Sequence, residues 1–581
     1  MDVDRTKYEV LPGAHGGRVR LFARGREVIR IPRVNRGAAF TLEQREALGL
    51  KGQLPTGVTP LELQLSRVYE QFRARRTNFD KFIHLSALRE RNTVLFYRLL
   101  SEHLAEMMPI VYTPTIGEAI ELFSHFYNRL HAVFLSIDDG DADTIEESLR
   151  SSGRDADEVD AIIVTDSEGI LGIGDQGVGG VLITIGKKSL YTAAGGLDPD
   201  RMVPVVLDVG TDNLGLLNDD FYLGLRHARV RGEHYDEFIE RFVEAANKVF
   251  PHAMIHWEDF GAANAHRILD KYRDSICTFN DDVQGTAAVV AAAVLSAVKA
   301  TGERLRDQRV VIHGAGTAGV GIADLLIDLM VAEGATREEA RAQFWCTGSR
   351  GLISTALGDR VRDFQRPYAR DAAELANWKI TNPRRTDLGD IVRNVHPTIL
   401  IGTSAQHGSF TEEIIRDMAS HVDRPIIMPL SNPTPKAEAV PAALIAWTDG
   451  AALIATGSPF GPVDYEGVTY DIAQANNAFV FPGIGLGVAV CRARRVTDGM
   501  IAAAAQAVAS LPQVSQRGAS LLPAVNDLRR VSAVVAIAVA QAASEEGVAE
   551  IELDNPVQQV FEAMWQPAYP ELVIDDEGTT I

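Results

Sequence analysis

Apolar residues are spaced in two different ways along this chain. Between Pro60 and Leu130 they recur with a helical period, as in LELQLSRVYEQFRARR and LSALRERNTVLFYRLLSEHLAEMM. From about residue 160, short apolar runs such as AIIVT and VPVVLDV alternate with helical stretches, which is typical of a parallel sheet with crossover helices. We therefore predict an α/β protein. It has a helical N-terminal domain, a mixed α/β domain, and a doubly wound parallel sheet of the dinucleotide-binding, Rossmann-like type.

The length of 581 residues exceeds what one hydrophobic core supports, so at least two domains are expected. The predicted boundaries are 1–130 for an N-terminal arm and helical domain, 131–280 for the mixed domain (completed by about 475–545), 281–474 for the doubly wound sheet, and 546–581 for a tail. Thr41 followed by Gln44 is a capping-box pattern and predicts a helix start.

A glycine-rich turn follows the apolar run VVIH and leads into an apolar helix. The turn and helix start contain Gly314, Gly316, Thr317, Ala318 and Gly319. In this strand–turn–helix context the pattern predicts a dinucleotide site, because backbone N–H groups and a helix N-terminus meet the pyrophosphate. The alternative is a glycine turn that binds no ligand.

The next predicted strand, QFWCT, ends at Gly348, Ser349 and Arg350. An NAD site usually has an acidic residue at this point, which binds the ribose hydroxyls. Here the acid is missing, so a 2′-phosphate would not be repelled and Ser349 and Arg350 could bind it. Among NADP and NAD, this pattern favours NADP.

Two pairs of adjacent acids follow apolar runs. Glu258 and Asp259 come after AMIHW, and Asp281 and Asp282 come after ICTFN. Carboxylates that cluster repel each other unless a cation compensates them, and oxygen ligands suit Mg²⁺ or Mn²⁺. The alternative is a solvated acidic loop, which is common for a single pair.

Other candidate residues each have a plain structural alternative. Lys187 could act as a base if it faces the acids; its neighbour Lys188 would depress its pKa, whereas carboxylates would raise it. A surface lysine pair is the alternative. Tyr112 is a possible acid or a packing tyrosine. Asn432, Asn476 and Asn477 could bind a carboxylate or could form turns.

The composition excludes several classes of partner. A net charge of −21 disfavours nucleic acid and anionic membranes. No apolar run reaches the length of a membrane helix, and the first residues do not resemble a signal peptide. Three scattered cysteines fit a reducing compartment. We expect a cytoplasmic protein with a small-molecule substrate.

The dispersed motifs resemble those of malic enzymes over roughly residues 35–540. They are NRGAAFT, MPIVYTPTIGEA, ILGIGDQGVGG, IGKKSLYTAAGG, HWEDFG, CTFNDDVQGTA, GAGTAG, LSNPT and QANNAFVFPG, in that order. The resemblance implies a divalent metal ion, a nicotinamide dinucleotide and L-malate. Malate would be oxidised and decarboxylated to pyruvate and CO₂.

The resemblance also implies a role for each candidate residue. Glu258, Asp259 and Asp282 match the metal ligands. Asp281 matches the acid that pairs with the general base, Lys187, and Tyr112 matches the general acid, whereas Lys188 matches a position that is not catalytic. Asn432 and Asn477 match amides at the substrate carboxylate, and Asn432 and Asn476 are also expected beside the cofactor.

One position departs from the family pattern. Malic enzymes commonly read GERILG where this chain reads SEGILG, so Gly169 replaces an arginine expected at a malate carboxylate. SEGILGIGD resembles the related malolactic enzymes, which convert malate to lactate and CO₂ with retained NAD. The predicted 2′-phosphate site favours the oxidative reaction, and the malolactic reaction remains the alternative.

A third class is a dinucleotide-binding regulatory or structural protein that has lost its chemistry. Its support is the missing arginine at Gly169, and against it stands the presence of the lysine, the tyrosine and the metal ligands. The resemblance and the long N-terminal helices also imply a homodimer or homotetramer.

Overall fold

The computed structural model describes residues 7–574 and 579–580, apart from residues 12, 14, 16, 129 and 383. Parts of the predicted arm (1–6) and tail (575–578 and 581) lie outside the described residues. The two chain ends share a small sheet, which consists of β1 (Tyr8–Val10), β2 (Arg18–Leu21), β17 (Glu571–Ile574) and β18 (Thr579–Thr580). β17 pairs in parallel with β2, so strands from opposite ends of the chain become neighbours.

The described part of the N-terminal region contains six α-helices. They are α1 (Leu42–Ala47), α2 (Leu61–Arg73), α3 (Asn78–Arg91), α4 (Thr93–Glu102), α5 (Leu104–Val111) and α6 (Thr115–Glu121). The predicted capping box at the start of α1 is confirmed, because Thr41 and Gln44 bond each other's backbone N–H groups. The helices bury apolar faces that include Phe72 and Leu85, as their period requires.

The mixed domain contains a five-stranded parallel sheet in the order β3-β5-β4-β6-β7. Its strands are β3 (Val133–Ser136), β4 (Ala161–Thr165), β5 (Met202–Asp208), β6 (Met254–Trp257) and β7 (Thr278–Asn280). Its helices are α7 (Ala142–Arg150), α8 (Val181–Ala193), α9 (Leu214–Leu217), α10 (Glu233–Val249) and α11 (Ala262–Tyr272). Helix α8 is buried at every position except Lys188, and its buried residues include the polar Lys187 and Ser189.

A π-helical turn, Asp281–Gly285, continues into α12 (Thr286–Thr301) and joins the two sheets. Among the described residues, this one helix is long and apolar enough to cross a membrane, but 78% of its apolar window is buried within the protein. It packs against the first helix of the next domain and a C-terminal helix. Its apolar character is therefore that of a core helix.

The second sheet has seven strands in the order β10-β9-β8-β11-β12-β13-β16. They are β8 (Val310–His313), β9 (Phe344–Gly348), β10 (Gly351–Leu352), β11 (Ile399–Gly402), β12 (Ile426–Pro429), β13 (Leu453–Thr456) and β16 (Ala473–Gln474), and β14 (Val463–Tyr465) and β15 (Val468–Tyr470) form a separate hairpin. The helices are α13 (Thr317–Ala332), α14 (Arg337–Ala342), α15 (Leu388–Val395), α16 (Glu412–His421) and α17 (Pro441–Trp447).

Strand order reverses direction between β8 and β11, which is the point where doubly wound sheets bind dinucleotides. All neighbouring strands of this sheet are parallel except β10, which folds back on β9. The predicted α/β fold class is confirmed. The glycine turn lies at the carboxyl end of β8, directly at the reversal.

The chain then returns to the first sheet through α18 (Phe481–Cys491), α19 (Asp498–Ser510), α20 (Leu528–Glu545) and α21 (Pro556–Ala563). Helix α18 packs against α8 and α20, and α19 packs against α12. One continuous core therefore runs from the N-terminal helices through both sheets. This packing places Phe481 of α18 beside the carboxyl ends of β6 and β7.

Candidate functional site

The two acid pairs meet because their strands are parallel neighbours. In β6 and β7 Trp257 pairs with Asn280, so Glu258 and Asp281 leave the same edge of the sheet side by side. The Asp259 backbone N–H donates to Asp282 Oδ2 at 2.9 Å. The four acidic residues thus lie together at the carboxyl ends of two neighbouring strands, as the strand-end pattern predicts.

Lys187 projects from the middle of α8 into this acidic cluster. Its side chain is 1% exposed, forms an ion pair with Asp281, and lies 3.1 Å from Glu258 Oε1. Its Nζ also lies 4.5 Å from the ring centre of Phe481 and 5.1 Å from that of Tyr112. The Lys187 ammonium is therefore enclosed by two carboxylates and two aromatic rings.

The two adjacent lysines have pKa values that move in opposite directions. Burial by itself lowers the pKa of Lys187, but the carboxylates of Asp281 and Glu258 outweigh it and raise that pKa well above the ordinary value. For Lys188, burial dominates and lowers the pKa to about 8, although Asp200 opposes the shift. The sequence analysis named a lowering effect of the neighbouring lysine and a raising effect of carboxylates, and at Lys187 the carboxylates have the larger effect on the pKa.

Lys187 compensates the negative charge of the acids around it only in part. Burial, followed by repulsion from Asp281, raises the pKa of Glu258 to about 8. Burial and repulsion from Glu258 and Asp281 raise the pKa of Asp282 to about 7, and burial and Asp282 raise that of Asp259 well above its ordinary value. One lysine faces four acids, so the donor set suits a divalent cation with a preference for oxygen.

A second set of possible metal ligands, which includes a histidine, also lies close together. Single ligand atoms of His256, Glu258 and Asp281 lie within 4.8 Å of one another. Both imidazole nitrogens of His256 already have partners, and the Lys187 ammonium bonds both carboxylates. His256 therefore has no ring nitrogen left for a metal ion. The set of Glu258, Asp259 and Asp282 remains our prediction for the metal ligands.

Tyr112 ends helix α5 and faces Lys187. Its ring is buried, and burial raises the pKa of its hydroxyl well above the ordinary value, against the lowering effect of Lys187. The hydroxyl is thus protonated at neutral pH. This arrangement permits the predicted role of a proton donor, and the tyrosine also packs in the core.

The three candidate asparagines have different surroundings. Asn477 Nδ2 donates to the carbonyl and to Oδ2 of Asp281, at 3.1 and 3.0 Å, and to Thr286 Oγ1 at 3.2 Å. Asn476 Oδ1 accepts from the Ala478 N–H. Asn432 Oδ1 accepts from Ser458 Oγ at 2.6 Å. Only Asn477 bonds an acid of the cluster, and its partner is Asp281.

The glycine turn after β8 requires glycine at two positions and has an open backbone at a third. A Cβ on Gly314, whose φ is +111°, would lie 2.5 Å from the backbone of Thr403, and a Cβ on Gly319 would lie 2.6 Å from the Gly314 carbonyl oxygen. Both positions therefore require glycine. A Cβ on Gly316 would meet no atom within 4 Å, so the backbone there is open to a ligand beside the start of α13.

Gly169 is required by the backbone that carries a predicted metal ligand. Its N–H donates to the Asp259 carbonyl at 2.9 Å, and a Cβ would lie 2.7 Å from the carbonyl oxygen of Phe260. An arginine at this position would collide with that segment. The departure from the family pattern therefore has a packing cause.

Two nearby arginines do not substitute for the missing one. Arg229 is fully buried and bonds Asp175 at 2.8 Å. Arg231 pairs with Glu168 and Asp212, at 2.5 and 2.8 Å. Both guanidinium groups are committed to carboxylates of the protein.

Sequence reasoning missed His256, which bonds Glu258 at 2.9 Å. Burial lowers the pKa of His256 to about 3, so the imidazole is neutral. A signal was present: His256 and Glu258 are two residues apart, and alternate residues of a strand lie on one face. Phe481, which lies over Lys187, had no such local signal.

The fold and the site define a dinucleotide-binding α/β protein with a lysine–carboxylate centre where its two α/β domains join. Two family models match the chain, "Malic enzyme, N-terminal domain" over residues 89–273 and "Malic enzyme, NAD binding domain" over residues 283–544. The chain belongs to the malic enzyme family.

Relatives with similar sequences cover nearly the whole chain. NAD-dependent malic enzyme 3 of Bacillus subtilis is 53% identical over 554 residues, which are 95% of this chain and 97% of that protein. NAD-dependent malic enzyme of Sodalis glossinidius is 48% identical over 544 residues, 93% of this chain and 95% of that protein. The solved malic enzyme of Entamoeba histolytica shares the fold at a TM-score of 0.55 and 22% identity, covering 89% of this chain and 90% of that one.

The preference for NADP expected from Ser349 and Arg350 is wrong. Relatives that are about half identical to this chain are named NAD-dependent. Ser349 and Arg350 form the exposed turn between β9 and β10, and no hydrogen bond or ion pair to another described residue fixes the guanidinium. The missing acid removes a repulsion, but one unfixed arginine does not make a preorganised phosphate site.

Proposed function

We propose that this protein oxidises L-malate at C2 with NAD and decarboxylates the product to pyruvate and CO₂, aided by Mg²⁺ or Mn²⁺. The observation that carries the proposal is the buried contact of Lys187 with Asp281 and Glu258 where the two α/β domains join. The names of the relatives support the substrate and the cofactor.

Two sets of residues would hold the groups that the reaction needs. Glu258, Asp259 and Asp282 would hold the metal ion, and the open backbone at Gly316 and the start of α13 would bind the dinucleotide pyrophosphate. When bound, the metal polarises the C2 oxygen and stabilises enolate charge, and NAD accepts the hydride from C2.

Lys187 and Tyr112 would move the protons. Lys187 Nζ accepts the proton of the C2 hydroxyl, and after the C3–C4 bond breaks to release CO₂, the Tyr112 hydroxyl protonates C3 of the enolate. Lys187 Nζ lies 5.1 Å from the Tyr112 ring centre and returns the proton to the phenolate. The proton taken from the C2 hydroxyl thus replaces the one given to C3.

Lys187 must lose a proton before it can act as a base. In the protein alone, Asp281 and Glu258 keep its pKa well above the ordinary value. A divalent cation held by Glu258, Asp259 and Asp282 would compensate the negative charge on the acids and remove that stabilisation of the ammonium. Lys187 would then pass its proton to Asp281, with which it is already paired, and become a neutral amine. Asn477 donates to Asp281 and so holds the carboxylate that would share the proton with Lys187.

One assay mixture tests the proposal. The full-length protein is incubated with L-malate and Mn²⁺, and with NAD or NADP in parallel. We expect NADH and pyruvate in equal amounts, with a higher kcat/KM for NAD than for NADP, and no activity when a chelator removes the metal. NADH absorbance and separate assays of pyruvate and lactate measure the products.

Other outcomes would point to the other classes. Lactate without net NADH would establish the malolactic reaction. The motif SEGILG resembles that of the malolactic enzymes. Dinucleotide binding without turnover of malate would establish a protein that has lost its chemistry. Omission of malate is the control for contaminating NAD reduction.

We propose that the protein forms a homo-oligomer through a surface next to α6. Phe126, Phe221 and Leu223 are exposed by 53%, 64% and 53%, and the Leu223 N–H bond to Ser124 holds these two segments together. Light scattering is expected to give a dimer or tetramer, and Phe221→Ser to reduce the mass. Phe561→Ser, at another exposed position, is the control; a wild-type monomer would refute the proposal.

A further inference from the structure

A buried chain of hydrogen bonds leads from α8 to the acidic cluster. The Tyr191 hydroxyl lies 2.7 Å from His256 Nδ1, and His256 Nε2 lies 2.9 Å from Glu258 Oε2. Tyr191 and His256 are fully buried, and Glu258 is nearly so. The three side chains come from α8, from β6 and from the residue after β6, so the sheet and one helix fix the chain together.

The bonding partners determine which imidazole nitrogen carries a proton. As a metal ligand Glu258 is ionised, and a carboxylate oxygen only accepts hydrogen bonds, so Nε2 is the donor to Glu258 in that state. In the neutral ring Nδ1 is then an acceptor, and the Tyr191 hydroxyl donates to it. Tyr191 thereby selects the tautomer that presents an N–H group to Glu258.

Each of the two carboxylate oxygens of Glu258 has a different partner. Oε2 accepts from His256 at 2.9 Å, and Oε1 lies 3.1 Å from Lys187 Nζ. A carboxylate held by an N–H group at one oxygen keeps a single orientation, and outer partners of this kind commonly orient metal ligands. The imidazole also packs against Phe279 and Phe481, with ring centres 5.4 and 5.9 Å away.

We propose that Tyr191 and His256 are positioning residues that orient Glu258 as a ligand for the divalent metal ion. The inference rests on the metal site in the proposed function. The His256 N–H bond at Oε2 directs Oε1 into the cluster, and Tyr191 maintains the bond by selecting the tautomer. The alternative is that His256 only fills space among the aromatic rings.

Three variants of the full-length protein separate these roles. His256→Gln places an amide N–H near the position of Nε2 and keeps a donor for Glu258, whereas the shorter amide of His256→Asn stays near the position of Nδ1. Tyr191→Phe removes the bond that selects the tautomer. The dissociation constant for Mn²⁺ is measured without substrate, from the electron paramagnetic resonance signal of free Mn²⁺, and Tm is measured in parallel.

The expected results follow from the donor at Glu258. His256→Asn should weaken Mn²⁺ binding by about 10- to 100-fold, the range for loss of an outer partner of a metal ligand. The Mn²⁺ dissociation constant of His256→Gln should stay within about 3-fold of the wild-type value, and that of Tyr191→Phe should fall between the values of the two His256 variants. Unchanged NAD binding would show that the second α/β domain is intact.

Two results would overturn the inference by itself. One is His256→Asn with a lowered Tm but wild-type Mn²⁺ affinity, which would mean that the imidazole only packs. The other is a Mn²⁺ affinity of His256→Gln as low as that of His256→Asn, which would mean that the N–H donor to Glu258 does not affect metal binding. A wild-type protein without Mn²⁺ affinity would overturn the metal site itself, so the two failures are distinguishable.

Discussion

Replacement of Lys187 by alanine is expected to lower kcat by about 10²- to 10⁴-fold, the usual contribution of a general acid or base. The loss should appear in kcat with NAD binding retained, because the ion pairs of Lys187 are with the acids and not with the glycine turn. Mn²⁺ binding should also be retained, because Lys187 provides no ligand to the metal ion and its removal takes a competing cation away from Glu258. Steady-state kinetics with malate and NAD, together with binding of each ligand, measure the effect.

The same variant is expected to change stability. Lys187 is the buried cation between Asp281 and Glu258, and removal of one partner of a buried ion pair costs about 3–5 kcal/mol. The free energy of unfolding should therefore fall in metal-free buffer, and Mn²⁺ should restore part of it by compensating the acids. Urea unfolding with and without Mn²⁺ measures both effects.

The neighbouring lysine provides the matched control. Lys188 is half-buried in α8, and its Nζ bonds the Met202 carbonyl at 3.2 Å and not an acid of the cluster. Lys188→Gln should keep kcat within a few-fold of the wild type, even if Tm falls. If Lys188→Gln lost as much kcat as Lys187→Ala, or if Lys187→Ala kept wild-type turnover, the assignment of the base would be wrong.

Introduction of the arginine that malic enzymes commonly carry, by Gly169→Arg, is expected to impair this protein. A Cβ at this position would lie 2.7 Å from the Phe260 carbonyl oxygen and 3.3 Å from that of Asp259. The backbone that carries Asp259 must then shift, so Mn²⁺ affinity should fall by about 10-fold or more and stability by about 1–3 kcal/mol. Mn²⁺ titration and urea unfolding measure the two losses.

Two further variants sharpen this prediction. Gly169→Ala carries the same Cβ without the charge and should lose most of the same Mn²⁺ affinity. Gly461→Ala is the control, because no atom lies within 4 Å of a Cβ at that glycine. An increase of kcat/KM for malate in Gly169→Arg would show that the site lacked a cation and tolerates one, contrary to the packing argument.

Local sequence patterns predicted those parts of the fold and site that depend on neighbouring residues. The helical and strand periods predicted both α/β domains, and the spacing Gly314, Gly316 and Gly319 predicted the turn at the point where strand order reverses. The two acid pairs were predictable as one cluster because strand ends in a parallel sheet share an edge. Arg350 was misleading, since the absence of an acid does not by itself create a phosphate site.

The pairing of Lys187 with Asp281 came from the resemblance to malic enzymes and not from the residues themselves. The direction of the Lys187 pKa also required the structure, because burial and carboxylates act in opposite senses and only distances decide between them. The partner of Asn477 also required the structure, which shows that its amide donates to Asp281.

The sequence by itself determined the fold class, the dinucleotide turn, the acidic cluster and the family of this protein, since each depends on periodicity or on short contiguous motifs. Only the tertiary structure decided that Gly169 must remain without a side chain, that His256 bonds Glu258, and that the ends of the chain share a sheet. These are contacts between residues on different elements, and their distances follow from packing rather than from any local pattern.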